Sequence, residues 1–407
     1  MNEIRTATII GGGIAGTVAA MALQRAGIEA KVFEAYGQAP EGVGAALIVA
    51  PNGINALRVL DLDGPIEAIG IPSPRMVVQS WTGKQLAEFR ELPGLPVART
   101  ISRPELHGEL ARQAADRGIA IEYGKEFVAS REGDDGVTAI FADGSEASAD
   151  VLIGADGIHS AVRRHIDPAG AGPEFGDLCG FGGWVDDLGL EPTDGAYRMV
   201  FGKRGFFAHF VAADGRTLWF ANIASEQPLS IAEAEAIPAE RWLTELRETF
   251  TEDRCPALAI LDRVRPADLM TTGTALRLPT PARWHRGRCI ILGDAAHATS
   301  SSSGQGASMA IESALQLAME LRDADSIGSA FDSYERVRRP RVEKVIAHGK
   351  RTESKKAPGP VGRILRDLLL PPAMKLVAKP EGMRWLLAYE IQWDGSPAAR
   401  AGKAVVR

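Results

Sequence analysis

Cysteine is scarce in this 407-residue chain, with three residues (Cys179, Cys255, Cys289) far apart in sequence. Without a CxxC pair, a disulfide framework or structural zinc site is excluded, and a reducing compartment is the natural setting. Long apolar runs are also missing. No stretch reaches the roughly 18 apolar residues of a membrane span, and Met1-Asn2-Glu3-Ile4-Arg5 leads into no secretory h-region. A soluble, cytoplasmic protein with no membrane span is expected. Positive charge is not in excess, since 46 Lys and Arg stand against 52 Asp and Glu for a net charge of -6. That balance argues against nucleic acid as a partner. Neither a nucleophile triad nor a metal-ligand spacing is present, so no metal is expected.

Glycine, by contrast, is plentiful: 44 residues, about a tenth of the chain against the usual 7% or so. Without a collagen period, the excess points to tight turns and close approaches to a ligand. Ala7-Thr8-Ile9-Ile10 reads as a buried strand, followed at once by Gly11-Gly12-Gly13-Ile14-Ala15-Gly16. Ile14 to Ala26 then has helical spacing up to Gly27, and Ile28 to Phe33 reads as a second strand ending at Glu34. In this GxGxxG pattern Gly11 permits the turn, Gly13 admits a pyrophosphate, and Gly16 lets helix and strand approach. The helix N-terminus presents N–H groups to the phosphates. Glu34 is suited to an adenosine ribose and would repel a 2′-phosphate. The pattern alone does not choose between NAD and FAD.

Two later segments repeat strand then glycine: Ala149 to Gly157, running into Ser160-Ala161-Val162-Arg163, and Cys289 to Asp294. The second leads to Gly304-Gln305-Gly306 and a helix over Ala307 to Leu321. Between them, residues 176–272 read as an antiparallel sheet, with a hairpin at Asp214-Gly215 and a helix near Ala239 to Phe250. The fold class is α/β: a discontinuous Rossmann-like cofactor domain (1–175 and 273–345, with 76–97 assigned to the sheet), a central mainly antiparallel substrate domain (176–272) and C-terminal helices (346–407). The basic run Arg336, Arg338, Arg339, Arg341, Lys344, Lys350 and Arg351 reads as a solvated helix face. Lys355 to Pro360 reads as a linker.

GADGIHSAVR at 154–163 and LGDAAHATSSSSGQGASMAIESA at 292–314 resemble the second and third fingerprints of the single-component FAD-dependent aromatic hydroxylases, the para-hydroxybenzoate hydroxylase-like flavoprotein monooxygenases. The resemblance covers roughly residues 4–350 and extends to GAALIVAPNG at 44–53 and ISRPELHGEL around Arg103. It implies non-covalent FAD. Gly11, Gly13, Ile14, Ala15 and Gly16 would hold its pyrophosphate, Glu34 its adenosine ribose, and Arg103 its pyrophosphate or ribityl side. Ala45, Asp156 and Gly157 would lie near the cofactor, and Asp294 would bind the ribityl chain. Gly304, Gln305, Gly306 and Ala307 would face the flavin pyrimidine edge with backbone N–H groups. His297 is a weaker candidate, read as structural. Where the family usually has a proline, this chain has Ser301.

The implied reaction uses NADH or NADPH and O2 to hydroxylate an aromatic or polyketide-like small molecule through a flavin C4a-hydroperoxide. Epoxidation and Baeyer–Villiger insertion are alternatives, with a flavin reductase, a halogenase or a non-catalytic redox flavoprotein further off. A monomer or homodimer is expected. Trp184, Arg198, Phe207, His209 and Trp219 come from the sheet region. Strand alternation puts Phe207 and His209 on one face and Phe206, Ala208 and Phe210 on the other, so Phe207 and His209 are candidates for one pocket wall. No catalytic base is assigned.

Overall fold

The computed structural model describes residues 4–38, 46–186, 188–300, 303–353 and 380–395. The first strand, Thr6–Ile10, lies inside a six-stranded sheet. Its order is His285–Arg286, Cys289–Ile291, Val151–Gly154, Thr6–Ile10, Glu29–Glu34, Ile121–Tyr123. Thr6–Ile10 pairs in parallel with Glu29–Glu34 and Val151–Gly154, which in turn pairs in parallel with Cys289–Ile291. Such strands are covered on both faces, so they read as continuous apolar runs. Ile9, Leu152, Ile153, Ile290 and Ile291 are all fully buried in the largest core. Helix Ile14–Arg25 packs on this sheet and against helix Gly306–Asp323.

A seven-stranded sheet follows the order Met270–Arg277, Glu174–Val185, Thr217–Ala224, Gly205–Val211, Ala196–Phe201, Arg75–Ser80, Gln85–Arg90. All its pairs are antiparallel except Ala196–Phe201 with Arg75–Ser80. Arg75–Ser80 and Gln85–Arg90 enter this sheet from far upstream in the chain. The hairpin turns at Asp214-Gly215, with Gly215 at φ 86°. Asp143-Gly144 turns a separate three-stranded sheet, Glu146–Ala149, Gly136–Phe141, Phe127–Gly133.

The two faces of the seven-stranded sheet have different covers. One carries Phe181, Val200, Phe207, Trp219 and Ala221 and packs under helices Ala239–Phe250 and Ala257–Leu261. The other carries Tyr197, Phe206, Ala208, Phe210 and Leu218. It meets Ala46, Ile48 and Ile71 of a small sheet built from Ala46–Val49, Arg99–Ser102 and Ile71–Pro72. Ala46–Val49 runs into helix Pro51–Arg58, and Arg99–Ser102 into helix Arg103–Asp116. This second, inner face is therefore the one turned toward the cofactor domain.

Helix Ile327–Glu353 crosses the expected boundary at 345 without a break. It also corrects the reading of the basic run. Arg338 is fully buried and Arg341 nearly so, both paired with the buried Glu312. The charge count missed this because the run has two sides: Arg336 is exposed while Arg338 and Arg341 lie with Val342 and Val345 against the core. Lys355 to Pro360 lies outside the described residues.

Candidate active site

Motifs separated by almost the whole chain meet at the C-terminal ends of adjacent parallel strands, where open α/β sheets bind ligands. Thr6–Ile10 ends at Gly11, Glu29–Glu34 at Glu34, Val151–Gly154 before Asp156, and Cys289–Ile291 before Asp294. Backbone bonds tie the ends together: Gly11 N–H donates to Phe33 O at 2.8 Å, Ala155 N–H to Ile10 O at 2.7 Å, and Leu292 N–H to Gly154 O at 2.9 Å. Buried Arg163 donates from Nη1 to Ala295 O at 2.9 Å, joining the second fingerprint to the third. A Cβ on Gly293 would lie 2.8 Å from that of Ala15, so the third also touches the first.

The glycines of the first loop divide by cause. Gly11 has φ 104°, and a Cβ there would fall 2.5 Å from Ala155 O. At Gly16 it would fall 1.9 Å from Gly11 O. The fold itself demands glycine at both. Gly13 has φ -72°, open to any residue, and an added Cβ would meet nothing within 4 Å. No protein neighbour explains glycine there, whereas a phosphate against the helix N-terminus does. Gly13, Ile14 and Ala15 are the partly exposed positions of this loop. The chain thus fits a dinucleotide at the place where Gly13 leaves room.

Glu34 sits at this edge with both carboxylate oxygens engaged. Oε2 accepts from Gly12 N–H at 2.7 Å and Oε1 from Tyr36 N–H at 3.0 Å. Each oxygen retains a second lone pair for a ribose hydroxyl. Gly12 is braced from its other side by buried His107, whose Nε2 donates to Gly12 O at 2.9 Å. Arg103 is exposed at the start of the same helix, behind a Ser102–Glu105 capping box. His107 follows Arg103 by one turn in ISRPELHGEL, a spacing that could have flagged it from sequence.

Asp294 faces Arg103 electrostatically. Burial pushes its carboxyl above the ordinary range, and the Arg103 charge opposes that rise. Asp156 caps a helix. Its carboxylate accepts from Ser160 Oγ at 2.5 Å and from the N–H groups of Ala161 and Val162 at 2.7 and 3.0 Å, so it holds the start of helix Ala161–Ile166. Burial pushes its carboxyl up against those bonds. Neighbouring Gly157 turns at φ 73°.

In the Gly304 to Ala307 segment the positive φ belongs to Gly304, at 60°, and not to Gly306. Gly306 opens helix Gly306–Asp323, and a Cβ there would meet only Thr299 Oγ1 at 3.6 Å. The N–H groups of Gly306 and Ala307 have no acceptor within the helix. Gln305 is buried, with its N–H donating to Ser303 Oγ at 3.2 Å. Its side-chain oxygen accepts from Asn52, a residue the sequence reading passed over within GAALIVAPNG. His297 meets Ser313 Oγ at 2.8 Å beneath Trp284. Burial, then the Arg338 charge, lowers its pKa to about 3, so it is neutral and structural. Ala45 and Ser301 lie outside the described residues.

The substrate-wall candidates need correction. Phe207 and His209 do share a face, but it is the outer one. Phe207 is fully buried, stacked on Trp219 at 5.8 Å and edge-on to Phe250 at 5.2 Å. His209, in register with Trp219 and Arg198, is buried, and burial aided by Arg198 brings its pKa down to about 4. Alternation separated the faces correctly, but period 2 cannot say which one the helices cover. The inner face instead offers half-buried Phe89, Trp184, Met199 and Phe220, with Asn222 and Thr272 beside Gly180.

The family model for an FAD binding domain matches residues 4–348. The chain belongs to this family. It is 32% identical over 347 residues to an FAD-dependent urate hydroxylase of Klebsiella pneumoniae, covering 84% of this chain and 87% of that one. It is 29% identical over 371 residues to a 3-amino-4-hydroxybenzoate 2-monooxygenase of Streptomyces cremeus, covering 86% of each. Among solved structures, Klebsiella pneumoniae HpxO complexed with FAD and uric acid superposes with a TM-score of 0.81 at 25% identity, covering 94% of this chain and 97% of that one. This FAD-dependent monooxygenase is thus an oxidoreductase, and its cofactor is FAD. Among the described residues, no helix is long and apolar enough to cross a membrane.

Proposed function

We propose that the enzyme hydroxylates a planar, electron-rich aromatic or polyketide-like small molecule, with NADH or NADPH as reductant. The carrying observation is the meeting of the three glycine motifs, with Glu34 and Asp294, at the C-terminal ends of adjacent parallel strands. Bound FAD, once reduced, activates O2 so that one oxygen atom passes to the substrate. The chain's own work is to bind and orient. Gly13 and the following helix end receive the pyrophosphate, Glu34 the adenosine ribose, and Asp294 the ribityl chain, with Arg103 balancing negative charge. The N–H groups of Gly306 and Ala307 stabilise the charge that gathers on the reduced ring.

Phe89, Trp184, Met199 and Phe220 would exclude water and hold the substrate plane, while Asn222 and Thr272 would fix its orientation. His209 is not assigned as the base for a phenol, since its strand partner Trp219 packs under the outer helices. Relatives named for urate and an aminohydroxybenzoate support an aromatic substrate. The test is a panel of aromatic compounds screened for accelerated NAD(P)H oxidation, with product mass measured under 18O-labelled O2. A product carrying one labelled atom is expected. Stoichiometric peroxide without product across the panel would contradict the oxygenase reading.

A further inference from the structure

Asn52, fully buried in the first turn of helix Pro51–Arg58, bridges two acceptors. Its Nδ2 donates to Gln305 Oε1 at 2.9 Å and to Glu312 Oε1 at 2.7 Å. Only a side chain with two donors on one atom can do this here; aspartate or leucine of similar size cannot. Glu312 makes a firm anchor. Arg341 grips it with Nε at 2.8 Å and Nη2 at 2.7 Å, and Arg338 Nη1 reaches it at 2.8 Å. Burial would push the Glu312 carboxyl up, but Arg341 and Arg338 reverse this and hold it below its usual range. It therefore stays ionised and accepting. The same two helices touch again where Ala50 N–H donates to Ser308 Oγ at 3.0 Å.

Gln305 is the residue just before helix Gly306–Asp323, and it is fixed at three points. Its side chain is held by Asn52, its N–H by Ser303, and its carbonyl accepts from Met309 N–H at 2.8 Å. A buried carboxylate between two guanidinium groups adds little net stability over apolar packing, so stability alone does not account for it. We propose that Asn52 is a positioning residue for the flavin-facing loop. It transfers the fixed place of Glu312 to Gln305, so that the N–H groups of Gly306 and Ala307 are aimed at one point. The inference rests on the reading that Gly304 to Ala307 faces the flavin. With the tether cut, the helix end loses its aim, and its preference for the more negative, reduced ring falls.

The test uses the FAD-loaded enzyme and the variants Asn52→Ala and Gln305→Leu, which cut the tether from either side, and the double variant. Two readouts are taken: hydrogen exchange of the amides at 303–308, and the ratio of affinities for reduced and oxidised FAD from the flavin midpoint potential. Faster exchange is expected, together with a roughly tenfold fall in that ratio, about 30 mV lower for a two-electron couple. The double variant should shift no further than Asn52→Ala alone, because the Asn52–Gln305 bond that Gln305→Leu removes is already lost there. If Asn52→Ala does not fold, Gln305→Leu carries the test alone. Unchanged exchange in a folded variant would overturn the tether. Faster exchange with a wild-type potential would also overturn the proposal, placing the fault in the loop's assumed contact with the flavin.

Discussion

The Gly11–Gly16 loop and the strand Gly205–Val211 are both short and rich in small or apolar residues, yet they disclose function in different ways. In the loop, Gly11, Gly13 and Gly16 can be told apart by what a side chain would strike. Gly11 and Gly16 would strike the protein's own backbone, while Gly13 would strike nothing. Its identity is left for a ligand to explain. In the strand every residue is buried, and alternating residues serve two different covers. Phe207 lies under helices and Phe206 toward the cofactor domain. A local backbone constraint carries information about a ligand, whereas burial in a two-faced sheet does not until both covers are known.

The largest effect that would test this contrast is at Gly16. A Gly16→Val side chain would collide with Gly11 O, which cannot move without dragging the first strand. Loss of the folded protein is expected, beyond the roughly 4–5 kcal/mol that marks exceptional single substitutions. Soluble expression with a wild-type melting temperature would break the division of the glycines.

On the sheet, Phe207→Ala should cost about 3–5 kcal/mol in urea unfolding, the range for a buried aromatic. Phe220→Ala, half-buried on the inner face, should cost clearly less and should instead alter which aromatic compounds accelerate NAD(P)H oxidation. The opposite pattern would exchange the roles of the two faces.

Glu34→Ala should weaken FAD by about 1.5–3 kcal/mol in a titration of apoprotein, the range for hydrogen bonds to a charged group. It should also loosen the loop slightly, because Glu34 accepts from Gly12 and Tyr36. Unchanged affinity would remove it from the site.

A further effect concerns pH and two buried histidines, one of them on the outer face. His209 has its pKa lowered to about 4 and His297 to about 3. Above the unfolded value of about 6.5 both states are neutral, and the stability gained from burying neutral rings is fully present. As pH falls below that value toward 4, the unfolded chain takes up protons that the folded one refuses. Stability then drops by up to about 1.4 kcal/mol per pH unit for each histidine. His209→Gln should flatten the fall in urea midpoint between pH 6.5 and 4; an identical slope would show that His209 is not held neutral.

How far the sequence could be read follows from the same contrast. The three fingerprints, the hairpin at Asp214-Gly215 and the helix over Ala239–Phe250 were all legible, because turn chemistry and periodicity are local signals. The capping role of Asp156, the brace from His107 and the bridge from Asn52 were not, since each depends on which loops the parallel strands bring together. Arg338 and Arg341 were misread for a related reason. Their partner Glu312 lies on another helix, and nothing in a run of positive charge announces it.

Gly13→Thr offers the most direct measurement of the central claim that this sheet edge holds the FAD pyrophosphate. Threonine and glycine are comparable residues at a helix N-cap, the backbone there lies at φ -72°, and no protein atom stands within 4 Å of the added Cβ. The apoprotein should therefore melt with the wild type. Its affinity for FAD should fall by at least about tenfold, some 1.4 kcal/mol. Wild-type FAD affinity in that variant would contradict the account, because a phosphate seated against Gly13 could not ignore the side chain.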